Sequence, residues 1–434
     1  MAMSDRAGAR ASQGATNVRW RIFGIVFVLV VLNLIDRTAL SIAMPTIAKE
    51  FDLSPAMQGV VLSSFFWTYA LLQMPGGWLI DRYGPRKLIA GATIGWGMFQ
   101  SLAAVATGGI SLVFTRLGLG IAEAPLFPAG AKLNATWLSA KERGRGAVFM
   151  DSGSPLGAAF GGAIIAALIL VLDSWRLAFL AAGLATVAVG ILAWFYLRDD
   201  PAGHPGVNEA ERVHIAAGGG ASAGHAEGEP HRIVPRSMVG LLLGRMSWAM
   251  INFGLLTWGP SYLSQARGFD LKQMGSATFV IFLCGMAGSI FAGVTADWLF
   301  ARGHERASIY KGMLGLSGLA IFGTFVALPY VADPVGAVAL LSATLFFVYW
   351  GSLYWSLPPL LAPRDKVGLL GGTMNFAGSA SGIAVPIITG FILQATGTYL
   401  GVLFFFAGCA LVYVLGTMLI AFPAARAAST EATA

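Results

Sequence analysis

The sequence predicts an all-α membrane protein with twelve transmembrane helices arranged as two pseudo-symmetric six-helix halves. The 434-residue chain is 56% hydrophobic and 11% charged, whereas soluble domains carry about 25% charged residues. Apolar stretches near the roughly 20 residues that cross a bilayer as a helix recur along the whole chain. One loop pattern also occurs twice, once in each half, which indicates an internal repeat.

The first apolar stretch, residues 20–44, carries two charges inside it. Between 22 and 35 the only polar residue is Asn33, and Asp36 and Arg37 follow before apolar sequence resumes. On insertion scales a charged side chain at this depth costs about 2.5 kcal/mol or more. We therefore expect either a structural ion pair to a neighbouring helix or a proton and anion site near mid-membrane.

Burial penalises the ionised form of a carboxyl, so Asp36 is suited to take up and release a proton. Arg37 lies about 100° further round the helix, and the two side chains cannot share one face. If Asp36 faces the central cavity, Arg37 faces sideways, toward the second or the fourth span.

The spans follow one another in two groups, separated by a polar linker. The first half (residues 20–197) holds spans 20–45, 56–80, 87–107, 110–134, 143–171 and 175–197. The second half (237–423) holds spans 237–264, 274–299, 309–330, 335–361, 367–395 and 399–423. The tails are 1–19 and 424–434. The linker, 198–236, is expected to form a short helix over 208–215, to be partly disordered, and to expose its histidines to solvent.

Loop charges predict that both termini are cytoplasmic. Lys and Arg concentrate in the tails, the linker and the loops on the same side, and the opposite side keeps Lys49, Arg176, Arg267 and Lys272. The positive-inside rule therefore explains the formal net charge of +7, with no nucleic-acid partner. Both cysteines lie in apolar runs, so we expect no disulfide, metal site or cofactor, with the proton as coupling ion.

The repeated loop predicts a conformational latch at the cytoplasmic ends of two helices. Its pattern is a Gly four residues before an Asp, followed by basic residues. It comprises Gly77, Asp81, Arg82 and Arg86 in the first half, and Gly293, Asp297 and Arg302 in the second. An Asp facing basic residues or a helix N-terminus stabilises one packing of two spans, and rocking of the halves breaks that contact.

The fourth span carries a second pair of charges. Arg116 and Glu123 stand two turns apart and share a face. Pro125 follows Glu123 and is expected to kink the helix. Glu123 either neutralises Arg116 or Arg37 in a buried network or serves as a second protonation site. These readings overlap, because a salt bridge that breaks on protonation would itself couple proton and substrate.

A substrate carboxylate favours the two-pronged donation of a guanidinium, which makes Arg37 and Arg116 the intramembrane candidates. Arg245 is expected at the cytoplasmic end of the seventh span. Tyr69 and Gln73, one turn apart on the second span, offer a hydroxyl and an amide to sugar hydroxyls.

Several stretches resemble the major facilitator superfamily and, within it, the anion:cation symporter family of sugar-acid carriers and sialin relatives. The resemblance rests on the Gly77–Lys87 loop and on the stretches Asn33-Leu-Ile-Asp36-Arg37, Ser64-Phe-Phe-Trp67-Thr-Tyr69, Arg116-Leu-Gly-Leu-Gly-Ile-Ala-Glu123-Ala-Pro125, His204-Pro-Gly-Val-Asn-Glu-Ala-Glu211 and Gly371-Gly-Thr-Met-Asn375. It implies that Asp36 and Glu123 are proton sites. It also implies that Arg37 binds the anion or organises the acids, and that Trp355 and Asn375 contact substrate.

The fifth span departs from that family. Ser154 stands where galactonate and glucarate carriers tend to have a glutamine. It remains a candidate substrate contact, although its shorter side chain argues against a direct bond to a long polyol. Asp151 either pairs with Lys132 or a loop arginine, or lines the exit path.

The leading hypothesis is a proton-coupled symporter that imports a small organic anion, such as a sugar acid or a hydroxy or aromatic carboxylate, by alternating access. The alternative is a proton-coupled antiporter that exports a metabolite or drug, because Gly153-Ser-Pro155-Leu-Gly157 loosely resembles a drug-antiporter signature. The intramembrane arginines argue against cationic drugs. A membrane sensor is a third reading, and no nucleophile–base or metal-ligand spacing indicates an enzyme. We expect a lipid-embedded monomer in the inner membrane.

Overall fold

The computed structural model describes residues 15–139, 142–217, 234–361 and 367–422, and every regular element in those ranges is helical. The first half contains α1 (Val18–Glu50), α2 (Pro55–Tyr83), α3 (Pro85–Leu102), α4 (Gly109–Glu123), α5 (Leu126–Trp137), α6 (Arg143–Leu172) and α7 (Trp175–Tyr196). The linker contributes α8 (Glu209–Ala217). The second half contains α9 (Pro235–Arg267), α10 (Leu271–Ala301), α11 (Arg306–Ala327), α12 (Pro334–Val348), α13 (Pro358–Leu361), α14 (Val367–Thr396) and α15 (Leu400–Leu419). The predicted disorder of the linker after 217 lies outside the described residues.

Most of these helices have the length and composition of membrane spans. Within the described ranges, eleven helical stretches are long and apolar enough to cross a bilayer, and α4 with α5 forms one of them. The 29-residue α2 is long enough but is not among the eleven. Its serine, threonine, glutamine, tryptophan and tyrosine side chains lower its mean hydropathy.

Local signals fix where several helices begin. Ser54 accepts a hydrogen bond from Met57 N at the start of α2, and Asp333 accepts one from Gly336 N at the start of α12. Such caps satisfy backbone donors that have no partner within the helix. Gly84, between α2 and α3, has a φ of 85°, a conformation that residues with a Cβ rarely adopt.

Contacts divide the chain into two units. Unit 1 comprises Met1–Ala226, Leu255–Leu283 and Val385–Gly397, and unit 2 comprises Glu227–Gly254, Cys284–Ala384 and Thr398–Ala434. Parts of α9, α10 and α14 therefore group with the first half. In unit 1, Trp258 Nε1 donates to Pro386 O at 3.1 Å, and a Cβ at Gly59 would lie only 2.4 Å from the same oxygen.

Glycines on α6 bring that helix close to α1. A Cβ at Gly157 would lie 2.4 Å from Val31 O, and one at Gly161 would lie 2.1 Å from Thr38 Oγ1. Small residues at this spacing let two membrane helices approach closely. Gly153 and Gly157, which belong to the stretch that resembles a drug-antiporter signature, therefore pack against α1.

The linker helix α8 is fixed to the N-terminal end of α1, the end that the loop charges predict to be cytoplasmic. Glu211 is fully buried and accepts hydrogen bonds from Val18 N (3.2 Å), Arg19 N (3.1 Å), Arg19 Nη1 (2.9 Å) and Thr16 Oγ1 (2.6 Å). A carboxylate at a helix N-terminus satisfies its free N–H groups and favours the helix dipole. The predicted helix 208–215 is thus found as Glu209–Ala217.

The loop before α6 joins the same cluster through Glu142. Burial opposes ionisation of Glu142, but hydrogen bonds from Ser139 and Arg19 and the charge of Arg19 lower its pKa to about 2. His214 Nε2 lies 3.2 Å from Glu142 Oε2, which also accepts from Ser139, while Arg19 pairs with Oε1. Three segments that are distant in sequence therefore meet in one ionic network.

The prediction that the linker histidines are exposed is wrong for His204. This ring is 6% exposed and packs edge-on against Trp137 and Tyr196. Burial and the charge of Arg198 lower its pKa. The burial of His204 was not predicted because exposure of the histidines was inferred from the polar composition of the linker alone.

Candidate functional site

A buried ion pair joins α1 to α4 in unit 1. Arg37 Nε donates to Glu123 Oε2 at 2.7 Å, and the two side chains are 10% and 0% exposed. Glu123 Oε1 and Arg37 Nη2 have no hydrogen-bond partner among the described residues. A buried pair is stable when its remaining donors and acceptors are satisfied. These two atoms are therefore suited to a proton and to an anionic ligand.

Two aromatic rings on α2 hold the Arg37 guanidinium. Its Cζ lies 4.5 Å from the Phe65 ring centroid and 4.4 Å from that of Tyr69. Cation–π contacts of this kind orient a guanidinium without consuming its hydrogen-bond donors. Arg37 therefore contacts α2 and α4, the two spans named for it from the sequence. The condition of that prediction, an Asp36 that faces the cavity, is not met.

Close packing of α2 on α4 positions these groups. A Cβ at Gly120 would lie 2.3 Å from Phe65 O and 2.4 Å from Thr68 Oγ1. Thr68 Oγ1 also donates to Leu117 O at 2.7 Å. Any larger residue at 120 would push the aromatic rings of α2 away from α4.

The fourth span is interrupted beside Glu123, as its prolines predict. Glu123 ends α4, and α5 begins at Leu126. Pro125 has no N–H to continue the helical ladder, and its carbonyl accepts from Ala129 N at 2.9 Å as the next helix starts. The acid therefore lies at a break in the span.

Asp36 occupies a different place from the one predicted by a cavity-facing orientation. It is 1% exposed and accepts a hydrogen bond from Thr186 Oγ1 of α7 at 3.0 Å. The indole of Trp96 on α3 lies beside its carboxyl. Asp36 thus points between helices of the first half, while Arg37 faces the open space of unit 1.

Arg116 lies between the surroundings of Asp36 and those of the Arg37–Glu123 pair. Its Nη1 and Nη2 lie 3.4 Å from the backbone oxygens of Asp36 and Arg37, and the residue is 5% exposed. These are long hydrogen bonds. The Arg116 guanidinium thus binds the backbone carbonyls of Asp36 and Arg37. Within the described part of the chain it forms no side-chain ion pair.

A small cavity in unit 1 opens onto both arginines. It is lined by Arg37, Leu40, Ser41, Leu62, Phe65, Phe66, Arg116, Leu256 and Thr257. The lining is apolar and aromatic except for two guanidinium groups and two hydroxyls. Such a surface suits a small anion that also carries hydroxyl groups.

Unit 2 contains a buried arginine whose burial was not predicted from the sequence. Arg245 lies about 15 Å along α9 from its first residue, is 6% exposed, and stacks on Trp248 (4.1 Å) and Trp355 (5.0 Å). Its place at the cytoplasmic end of the span stays a prediction, whereas its burial between two tryptophan rings was not predicted. The signal available was the Trp at Arg245+3, which places an aromatic ring on the same helix face.

The other predicted substrate contacts are partly exposed. Trp355 is 47% exposed, and Gln73, Ser154 and Asn375 are intermediate. Asn375 stands one turn before Gly378, where an added Cβ would lie 3.5 Å from Arg245 Nε. Trp355 thus contacts Arg245 within unit 2, and Asn375 lies one turn along α14 from the point where that helix meets Arg245.

The first copy of the predicted latch makes contacts within unit 1. Asp81 bonds Lys132 Nζ at 2.8 Å, and both side chains are exposed. The backbone N of Arg86 donates to Asp199 Oδ1 at 2.8 Å, so Asp199 caps α3. Lys132 pairs with Asp81 here; the side chain of Asp151, its alternative partner, lies outside the described residues.

Other latch residues make few polar contacts in the described part of the chain. Arg82 lies over the Trp78 and Tyr83 rings. Asp297 is exposed, with no ion pair in the described ranges, and Arg302 stacks on Trp298 at 3.6 Å. An added Cβ at Gly77 or Gly293 would meet nothing within 4 Å.

Spanning helices that bury charged groups between them define an integral membrane transport protein. The chain belongs to the Major Facilitator Superfamily, which residues 26–386 match. This confirms the resemblance inferred from the sequence, and it confirms that the chain is a transporter and not an enzyme.

Similar proteins extend over nearly the whole chain. A probable galactarate/D-glucarate transporter of Bacillus subtilis (strain 168) is 30% identical over 97% of this chain and 96% of its own. The D-galactonate transporter of Escherichia coli O6:H1 is 33% identical over 87% of this chain and 90% of its own. A bacterial homologue of the human lysosomal transporter Spinster, in an inward-facing and occupied conformation, shares the fold with a TM-score of 0.72 at 16% identity, covering 94% of this chain and 95% of that one.

Proposed function

We propose that this chain is a proton-coupled symporter that imports a small organic anion, most simply a sugar acid, by alternating access. The observation that carries the proposal is the buried Arg37–Glu123 pair beside a small cavity. The names of the galactarate/D-glucarate and D-galactonate relatives support a hydroxylated carboxylate as substrate.

The coupling follows from competition for one guanidinium. With Glu123 ionised, its carboxylate holds Arg37. When Glu123 takes up a proton, the ion pair is lost and Arg37 is free to donate both edges to a substrate carboxylate. Loss of that proton on the cytoplasmic side restores the pair and expels the anion. Differential binding of proton and anion to the two states then drives the cycle.

Asp36 is the second proton site of the proposal. Its burial between α1, α3 and α7 makes an isolated charge costly, and Arg116 lies close enough to stabilise the ionised form. Tyr69, Gln73 and Ser154 offer hydroxyl and amide groups to the substrate in the first half. In the second half, Asn375 offers an amide and Trp355 an aromatic face, and we add Arg245 as a further anion-binding residue.

The remaining features belong to the same proposal. Twelve spans form two six-helix halves with cytoplasmic termini, in a monomer of the inner membrane. The loops of Asp81 and Asp297 act as latches between conformational states. The proton is the coupling ion, and no other cofactor takes part.

Proton movement in proteoliposomes tests the proposal. Vesicles are loaded with a pH-sensitive dye, and galactarate, D-glucarate or D-galactonate is added outside. We expect internal acidification with the wild-type protein and none with Glu123→Gln, while the variant still exchanges labelled substrate for unlabelled. Glu50→Gln, which neutralises a carboxylate paired with Arg176 away from the site, is the matched control. Substrate exchange without acidification in the wild type would overturn the symport proposal.

A further inference from the structure

A group of buried polar side chains lies on α3 next to Asp36. Trp96 and Gln100 are 0% and 1% exposed. Both amide atoms of Gln100 and Ser101 Oγ have no hydrogen-bond partner among the described residues, and the Trp96 indole N–H, which faces the Asp36 carboxyl, meets no acceptor there with full hydrogen-bond geometry. The group therefore presents a row of unsatisfied donors and acceptors inside the first half.

Such atoms require partners. A buried polar group without one costs about 1–3 kcal/mol, and proteins commonly meet that need with buried water, which makes two to four hydrogen bonds. An amide offers two donors and two acceptor sites. Gln100 is thus suited to hold water on both sides of its side chain.

The row runs in one direction from Asp36. Trp96 is beside the carboxyl, and Gln100 lies one turn further along α3, about 6 Å toward its predicted outer end. In the opposite direction the buried polar residue of α3 is Thr93, whose hydroxyl already donates to Ile89 O at 2.8 Å. Unsatisfied polar atoms therefore extend outward from Asp36.

This row is separate from the cavity that suits the anion. That cavity is lined by Arg37 and Arg116. The Asp36 carboxyl instead points to Thr186 and Trp96. Proton and anion thus have different surroundings within the same unit.

We propose that water held by Trp96, Gln100 and Ser101 connects Asp36 to the predicted outer end of α3, and that protons from outside reach Asp36 by this route. Each water accepts one proton and passes one on, so no group in the row changes its charge. The proton that arrives neutralises the Asp36 carboxylate. The charged groups facing that carboxylate are Arg116 and Glu123 of α4, with Arg37 adjacent on α1.

The inference rests on the proposed proton coupling, and one set of vesicle measurements tests both. Acidification driven by D-galactonate reports proton entry, whereas D-galactonate counterflow requires no net proton movement. The variants are Gln100→Leu, which removes the amide, and Trp96→Phe, which removes the indole N–H. Thr93→Val is the matched control, because it removes a buried hydroxyl of the same helix that is already satisfied.

We expect Gln100→Leu and Trp96→Phe to slow acidification about tenfold or more, which corresponds to a barrier raised by about 1.4 kcal/mol, while counterflow stays within about twofold. Gln100→Asn keeps an amide and should restore much of the rate. Thr93→Val should change neither measurement. Thermal unfolding of each variant in detergent confirms that it is folded.

The opposite results are equally clear. If folded Gln100→Leu acidifies the vesicles at the wild-type rate, the proposed water route is overturned and the proposed proton coupling is not. Gln100 would then be only a polar residue of the core. Equal loss of acidification and counterflow would also overturn it, by making the effect one of packing. No acidification in the wild type would overturn the proton coupling and the route together.

Discussion

The Arg37–Glu123 pair predicts how substrate binding depends on pH. A substrate carboxylate that binds Arg37 must replace a 2.7 Å charge-assisted hydrogen bond from Nε to Glu123. Bonds of this kind contribute about 1.5–3 kcal/mol, which corresponds to roughly 10- to 100-fold in affinity. Wild-type affinity should therefore rise as the pH falls and Glu123 becomes protonated.

Glu123→Gln removes the competing charge and keeps the side-chain shape. At pH 8 we expect the variant to bind D-galactonate about 10- to 100-fold more tightly than the wild type, with a nearly flat affinity between pH 5.5 and 8. Titration calorimetry or scintillation-proximity binding in detergent measures this. Arg37→Ala should abolish binding at each pH, and Glu50→Gln should behave as the wild type. Weaker binding by Glu123→Gln, or an unchanged pH dependence, would refute the competition.

Three further predictions concern the linker and the latch. Glu211→Gln weakens a buried carboxylate that caps α1, so amides of 209–217 should exchange with deuterium about 100-fold faster, reflecting about 3 kcal/mol; wild-type exchange would show that the cap is unimportant. Packing of the linker against the first half lowers the pKa of His204 below its ordinary value near 6.5. The released linker therefore binds more protons at acidic pH, and this packing weakens as the pH falls below about 6.5. His204→Gln should remove that pH dependence of exchange, and its persistence would assign it to another group. Asp81→Asn breaks an exposed pair with Lys132, so the unfolding temperature should hardly change while the transport rate does; an unaltered rate would argue against a latch.

The sequence could predict the fold because membrane helices follow directly from hydropathy. Long apolar runs specify spans, and Pro125 specifies the break in the fourth one. The linker helix was also predictable, since acidic residues after Asn208 favour a helix start. Its docking was not, because the partners of Glu211 lie nearly 200 residues away and no local pattern connects them.

The candidate site was predicted in composition more accurately than in orientation. The pairing of Arg37 with Glu123 was one of the alternatives that the sequence left open. Asp36, however, points to α7 and α3 and not to the cavity. Helical periodicity fixes the angle between neighbouring side chains, but the absolute rotation of α1 depends on its packing against glycines of α6. The burial of Arg245 was missed for a related reason: its position near the end of a span does not reveal that the guanidinium stacks on tryptophan rings.

The most direct test of proton-coupled import is accumulation against a gradient. Proteoliposomes with equal concentrations of labelled D-galactonate or D-glucarate on both sides receive an imposed pH difference, acid outside. Proton-coupled import predicts accumulation inside that a protonophore abolishes and that Glu123→Gln cannot support. Accumulation driven only by acid inside would indicate proton-coupled export, and equilibration without accumulation would indicate a uniporter; either result would contradict the account.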